Sequence, residues 1–417
     1  MKRFMGVALS LLLVLALAVP AFAEKTPINI WFAGTDEVFM KTMSEEVIPA
    51  FARANPDIEL IPTFVPWGDL STKLTTAFAA GVGPDVFMHG AAATAGFASN
   101  DRVQPLDGYI ARMEDAADFG ATLNAGAYQG KKYMIPAYGA GRLLMYRADF
   151  FKEAGLDPDK PPRTWEEFRK AARKLTVKKG NRFVREGIDL PSQGIDAQQI
   201  YSMFIWQAGG SFLNEEGTQA TFNGKEGVKA LQFLVDLVRK DKVADEQINL
   251  GQGNIPPIVP GQIAMLFAVP GDLKQVEKYS PDTYKQIRVA MPFKDKQQAT
   301  LFSFSGFFMS SDSKNKDEAW KVIKYFSGKE ALAKLCESMS SLPPRQSLKS
   351  LPFIARDPNI VAYMDAMEFA QGNPNIPEWV KIRDILSRYI ERAYFGAMTP
   401  KAALDKAAEE VNALLKK

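Results

Sequence analysis

At 417 residues the chain is long enough for two ordinary domains. Its 47% hydrophobic and 24% charged residues form a globular balance that excludes a disordered or fibrous chain. A formal charge of +3 gives no broad pull on nucleic acid or on a membrane surface.

Lys2 and Arg3 make a basic start, an apolar run follows from Val7 to Val19, and Ala21-Phe22-Ala23 closes it. This pattern predicts a secretory leader cleaved after Ala23. The run is short for a membrane anchor. Its removal takes away two positive charges and leaves a nearly neutral mature chain. Cys336 is the single cysteine, so no internal disulfide is expected. It follows the apolar stretch Ala331–Leu335 and reads as a buried small hydrophobe. It lies far from the leader and cannot carry a lipid anchor. The expected location is therefore periplasmic or otherwise extracytoplasmic, free in solution.

The mature chain opens with a predicted strand over Ile28–Phe32. A helix follows with Phe39, Met43, Val47 and Phe51 on one face, and stops before Asn55-Pro56. A second strand runs from Ile58 to Val65. A helix then carries Leu70, Leu74, Ala77 and Phe78, and the turn Gly81–Pro84 leads into a strand over Asp85–Met88. Strand and helix alternate here, the mark of a parallel sheet covered by helices. Further strands are predicted over Tyr133–Ile135, Leu143–Tyr146, Ile263–Phe267 and Ile287–Met291. Thr164–Glu167 is a capping box before a helix with Phe168, Ala171, Ala172 and Leu175 inward. Asn223–Glu226 and Asn315–Glu318 open two more helices. Thr399-Pro400 starts the last, which carries Leu404, Ala407, Val411 and Leu414.

Familiar catalytic motifs are missing. His89 is the single histidine, which rules out a zinc site built on several histidines. There is no Gly-x-Ser-x-Gly elbow, no Walker loop, and no Gly-x-Gly-x-x-Gly after the first strand. A pair of cleft carboxylates for glycoside hydrolysis remains open, because acidic residues are plentiful. Aromatic and small polar groups stand instead at strand ends, where open α/β sheets bind ligands. Trp31, Asp36, Trp67 and His89 occupy such places. Sugars offer apolar faces to aromatic rings and hydroxyls to paired donors and acceptors, which suits this set.

Ordered along the chain are Asn55–Ile58, Gly83–Phe87, Pro105–Asp107, Tyr128–Pro136, Leu144–Leu156, Thr164–Phe168, Gly209–Leu213, Gly261–Met265 and Leu342–Arg345. Through these segments the chain resembles the family 1 extracellular solute-binding proteins of ABC importers, the maltose-binding-like group. Pro374–Pro377, with Trp379 after it, is especially similar to maltose-binding members. The resemblance implies an α/β fold of the type II periplasmic-binding-protein class, two lobes with a ligand cleft between them and a hinge of several segments. The implied first lobe holds residues 24–137 and 305–340, the second 138–304 and 341–417. The implied crossings lie near Ala137–Arg142, Phe302–Ser305 and Ser340–Pro344.

The resemblance also implies ligand contacts at matching positions. They are Asp36, Trp67 and His89 after the first three strands, Tyr138 and Arg142 in the first crossing, and Trp206 and Gly209 in the second lobe. Arg345 belongs to the last crossing and Trp379 to the maltose-like stretch. One departure is Pro270-Gly271-Asp272, where the family often carries Gly-x-Trp; Asp272 would accept a hydroxyl there. Residue by residue, plainer readings stand beside these. Trp165 and Trp320 are expected in cores, Trp31 and Trp206 in core or cleft. His89 could be a satisfied loop histidine. Arg142 could pair with a structural carboxylate, or hold a phosphate. The expected function is a receptor that closes on a carbohydrate, polyol or sugar phosphate and docks on an ABC permease. It needs no cofactor or metal, performs no chemistry, binds no nucleic acid, and acts as a monomer. The alternatives are an exported glycosidase and a sugar sensor without transport.

Overall fold

Alternation sets the first sheet. In the computed structural model, which describes residues 25–245 and 255–416, strand β1 (Thr26–Ala33) buries Ile28, Ile30 and Phe32 completely and turns the residues between them outward. The predicted leader lies outside the described residues. Helix α1 (Glu37–Thr42), strand β2 (Ile58–Val65), helix α2 (Trp67–Ala79) and strand β3 (Val86–Gly90) follow. β2 and β3 flank β1 and run parallel to it, as helical crossovers require. Leu70, Leu74, Ala77 and Phe78 form the buried stripe of α2.

Strand β4 (Met134–Gly141) leads directly into β5 (Leu143–Arg147), the centre of a second sheet. Around that sheet come helices α3 (Trp165–Leu175), α4 (Gly194–Gln207) and α5 (Lys225–Arg239), strand β6 (Met265–Ala268), helix α6 (Pro270–Tyr279) and strand β7 (Ile287–Ala290). The order is β6-β5-β7, antiparallel throughout. The predicted capping box at α3 is present with a shift. Thr164 accepts from the Glu167 amide at 3.2 Å, while the Glu167 carboxylate takes the Arg163 amide at 2.7 Å.

Strand β8 (Thr300–Met309) returns the chain to the first lobe. Helices α7 (Lys316–Phe326) and α8 (Lys329–Ser338) then complete the first core, with Cys336 fully buried in it. The short strand β9 (Ala370–Gln371) precedes α9 (Trp379–Tyr394) and α10 (Pro400–Leu415), which pack in the second-lobe core with α4 and α5. Trp165 is buried in that core, whereas Trp320 is only part-buried, leaning on Tyr109 at 5.0 Å. The first sheet has the order β9-β8-β3-β1-β2, with β4 also paired to β8.

β8 belongs to both lobes. Its second half, Ser305–Met309, lies between β3 and β4, and its first half runs on past β3 beside β4 and β9. A register shift between Ser305 and Gly306 bends it there. Gly139 of β4 faces Phe304 on one side. On the other it exchanges two backbone hydrogen bonds with Leu342, at 2.7 and 3.0 Å. The three segments implied as crossings therefore run side by side. After them the chain folds back on the first lobe, where Leu348 is buried.

No side chain fits at Gly306, where β8 passes β4. A Cβ at Gly306 would stand 2.2 Å from the Ile135 carbonyl oxygen. Gly306→Ala should therefore lower the unfolding free energy by at least about 2 kcal/mol, because both partners are backbone held in a ladder. Urea denaturation reads this directly; an unchanged midpoint would mean that β4 and β8 part easily.

Candidate functional site

The two lobes meet around one cavity of about 620 Å³. The first lobe contributes the loop after β1, the start of α2 and the end of β3. The second contributes the starts of α4, α6 and α9, and the crossing strands form the floor. The ends of strands and the starts of helices are where backbone and side-chain polar groups stay unpaired by the fold itself.

Seven of the expected positions line this cavity: Asp36, Trp67, His89, Tyr138, Arg142, Asp272 and Trp379. Asp36 caps α1, its Oδ1 accepting from the Phe39 amide at 3.0 Å. Trp67 begins α2 and keeps 38% of its surface exposed, unusual for an indole. Its ring edge lies close over Gly34, whose φ of +102° suits glycine. His89 stands edge-on to Trp67, with ring centres 6.2 Å apart. The His89 Nδ1 contacts the Gly90 carbonyl at 3.3 Å, so that nitrogen carries the proton and Nε2 accepts from Ser71 at 3.1 Å. Burial pushes its pKa down to about 4, and the ring is neutral at neutral pH. His89 thus braces Trp67 and offers no positive charge.

Tyr138 is buried, and its phenol, which burial pushes to higher pKa, hydrogen-bonds Ser305. Trp379 is 2% exposed and packs edge-to-face with Phe212 at 5.3 Å, so most of its ring is taken up by the second-lobe core. Arg142 uses its whole guanidinium within the second lobe. Nε donates to Gln199 at 2.8 Å, Nη1 to the Phe267 carbonyl at 2.8 Å, and Nη2 to Asp196. It is an organising group rather than a free clamp. Asp272 gives one oxygen to the Val269 amide at 2.8 Å and so holds the first turn of α6. Burial pushes its carboxyl up to about 6; Asp196 and Asp36 push the same way, while the Val269 amide and Arg142 oppose. Burial likewise raises Asp189, also to about 6, with Asp196 and Asp272 adding to it.

Three expected positions do not line the cavity. Trp206 is 4% exposed, in the second-lobe core against Phe212 at 5.9 Å. Gly209 ends α4 in the left-handed region at φ +81°, where its amide bonds the Trp206 carbonyl. Its role is to stop a helix. Arg345 is turned away beneath the first lobe. It is 1% exposed, stacked 4.1 Å over Phe119, and paired with Asp115 and Asp118.

Other lining groups carry no motif that the sequence reading could use. Gln193–Asp196, Gln198 and Gln199 at the start of α4, the serines of β8, Gln275, Asn373 and Arg383 all face the cavity. Gln198 is fully buried, and its Oε1 has no donor among the described residues; nor does Asn373 Oδ1. Arg383 is occupied by Asp384 at 2.9 and 2.8 Å. The set provides acceptors, an aromatic face and closely paired cations, which suits a ligand rich in hydroxyl donors.

Residues 33–333 match the bacterial extracellular solute-binding protein family. The chain belongs to that family. Its fold is the two-lobed, type II periplasmic-binding-protein fold, shared with an ABC transporter solute-binding protein from Thermotoga lettingae determined with α-D-tagatose. That structure has a TM-score of 0.85 and 27% identity, over 94% of this chain and all of the other. An ABC substrate-binding protein from Listeria monocytogenes in complex with cycloalternan gives 0.83 and 26%, with the same coverage. Relatives in sequence include a putative binding protein of Brucella abortus, 27% identical over 97% of this chain and 96% of the relative. The sn-glycerol-3-phosphate-binding periplasmic protein of Escherichia coli is 25% identical over the same shares. Members of the solute-binding protein family act as extracellular or periplasmic binding proteins rather than as enzymes.

Proposed function

We propose that this solute-binding protein is the extracytoplasmic receptor of an ABC importer, closing on a carbohydrate and delivering it to the membrane permease. One observation carries the reading most: an exposed indole from one lobe and carboxylates from both line the same cavity. A sugar ring would stack on Trp67 while its hydroxyls donate to Asp36, Asp272 and Gln198. Contacts to both lobes at once favour the closed state, with motion about the three crossing segments. The cleft is complete in one chain, which suits a monomer, and the leader pattern over residues 1–23 suits export.

The chain performs no chemistry in this reading. Asp36 and Asp272 each cap a helix and Asp196 holds Arg142.

A thermal-shift screen against mono-, di- and oligosaccharides and polyols tests the reading, with chromatography for products. A ligand of the native state raises Tm; sugar release would instead establish a glycosidase. Loss of uptake on gene deletion separates transport from sensing. Trp67→Ala should weaken the ligand found by about 2 kcal/mol, roughly thirtyfold in Kd. The Tm of the ligand-free protein should hardly move, since the side chain is exposed. Calorimetric titration showing unchanged affinity would remove Trp67 from the site.

A further inference from the structure

Asp36 and Asp272 face the same cavity from opposite lobes. Each gives one oxygen to a helix cap, to Phe39 and to Val269. Neither has an ion-pair partner or a second hydrogen-bond donor among the described residues. The helices they cap are neighbours across the cleft, since Glu37 of α1 pairs with Lys278 of α6. Two cations also line the cavity: all three guanidinium nitrogens of Arg142 are bonded within the second lobe, and Arg383 pairs with its neighbour Asp384 through Nε and Nη2.

A second observation points the same way. Gln198 is fully buried and lines the cavity. Its Nε2 donates to Ser202 at 2.6 Å, and the Ser202 hydroxyl donates to the Gln198 carbonyl at 2.9 Å. The Ser202 proton is thus used, and Gln198 Oε1 is a buried acceptor without a donor. A buried acceptor of this kind is costly unless something donates to it.

We propose that Asp36 and Asp272 form an interlobe carboxylate pair that sets the ligand class: uncharged polyhydroxyl or amino sugars bridge it, and phosphate esters are rejected. Closure brings two like charges towards each other in a site of low dielectric, which opposes the closed state while nothing lies between them. Hydroxyl or ammonium donors relieve that repulsion. Phosphate oxygens accept rather than donate and add charge of the same sign. The proposal rests on reading the cleft as a sugar site. It sets the ligand class expected for this chain apart from that of its glycerol-phosphate-binding relatives.

The test uses the purified protein and the double variant Asp36→Asn, Asp272→Asn. Asparagine keeps an acceptor for each cap, so both helices should stay formed. Small-angle scattering of the ligand-free proteins at low salt should show the variant more closed than the parent. Equal radii of gyration would overturn the repulsion. Calorimetry then compares D-glucose, D-glucosamine and D-glucose 6-phosphate, trehalose and trehalose 6-phosphate, and glycerol and sn-glycerol 3-phosphate. Each phosphate should bind the parent at least a hundredfold more weakly than its uncharged partner, and the gap should shrink at least tenfold in the variant. A phosphate ester bound as tightly as its uncharged partner would overturn the selection. If no compound of the panel binds, the sugar reading fails, while scattering still decides whether the pair holds the lobes apart.

Discussion

Arg345→Ala should lower the unfolding free energy by about 3 kcal/mol and leave ligand affinity of the folded protein unchanged. The guanidinium is almost wholly buried, so its loss uncovers partners that solvent reaches poorly. Nε donates to the Ser327 carbonyl at 2.8 Å, and Nη1 reaches Asp115 at 2.9 Å and Asp118 at 3.3 Å. Alanine leaves the Ser327 oxygen unpaired and opens a space beside Phe119. Asp118 keeps Ser347 and Lys329, and Asp115 is partly solvated, which holds the loss near the lower end for a broken buried pair. Urea unfolding gives the stability, and calorimetry with the identified sugar gives the affinity. A folded variant that loses the sugar would return Arg345 to the cleft.

Glu186→Gln should stabilise the protein at pH 8.5 and not at pH 5. Glu186 is 1% exposed, held beside β6 by backbone bonds to Gln262 and Ala264. Burial pushes its carboxyl up to about 8 and the Asp189 charge adds to this, while a hydrogen bond from the Asp245 backbone and the charge of Lys178 oppose it. Its folded pKa lies above its ordinary value of 4.5, so between about 4.5 and 8 the native state holds a proton that the unfolded state has lost. Stability therefore falls as pH rises through that window, and above it the buried charge costs on the order of a few kcal/mol. Glutamine keeps the shape and cannot ionise. The Tm of the parent should drop between pH 5 and 8.5 more steeply than that of the variant. Parallel curves would show that Glu186 titrates as an ordinary carboxylate.

The first lobe was legible because its signals are local. β1 alternates with a period of two, α2 carries a clean stripe, and Asp36 sits where a cap belongs. β8 was visible only as a short implied crossing. Its ends are buried on both faces, with Thr300–Phe302 and Gly306–Met309 buried in unbroken runs, so it lacks the alternation that marks a half-buried strand. The cleft was readable where a residue stands at or just past a strand's end, as Asp36, Trp67 and His89 do. Arg345 misled because a motif fixes a backbone position and not the direction of a long side chain, which here runs back under Phe119. The contribution of α4 was hidden for the opposite reason. The helix is buried on nearly every side, so Gln198 and Gln199 broke no amphipathic pattern that could have marked them.

The strand shared by both lobes also sets a timetable for synthesis. Asp85, at the entrance to β3, and Ser313, just past β8, are hydrogen-bonded at 2.6 Å yet stand 228 positions apart. A ribosome adding about 5–20 residues per second leaves the edge of β3 uncovered for roughly 10–50 s. During that interval Val86, Phe87 and Met88 present an apolar strand with nothing to pair on one side, a state open to aggregation or to capture by a chaperone. The N-terminal lobe is first in sequence and cannot be first to finish. A nascent chain released before residue 309 would be expected to stay soluble only in a chaperone's keeping.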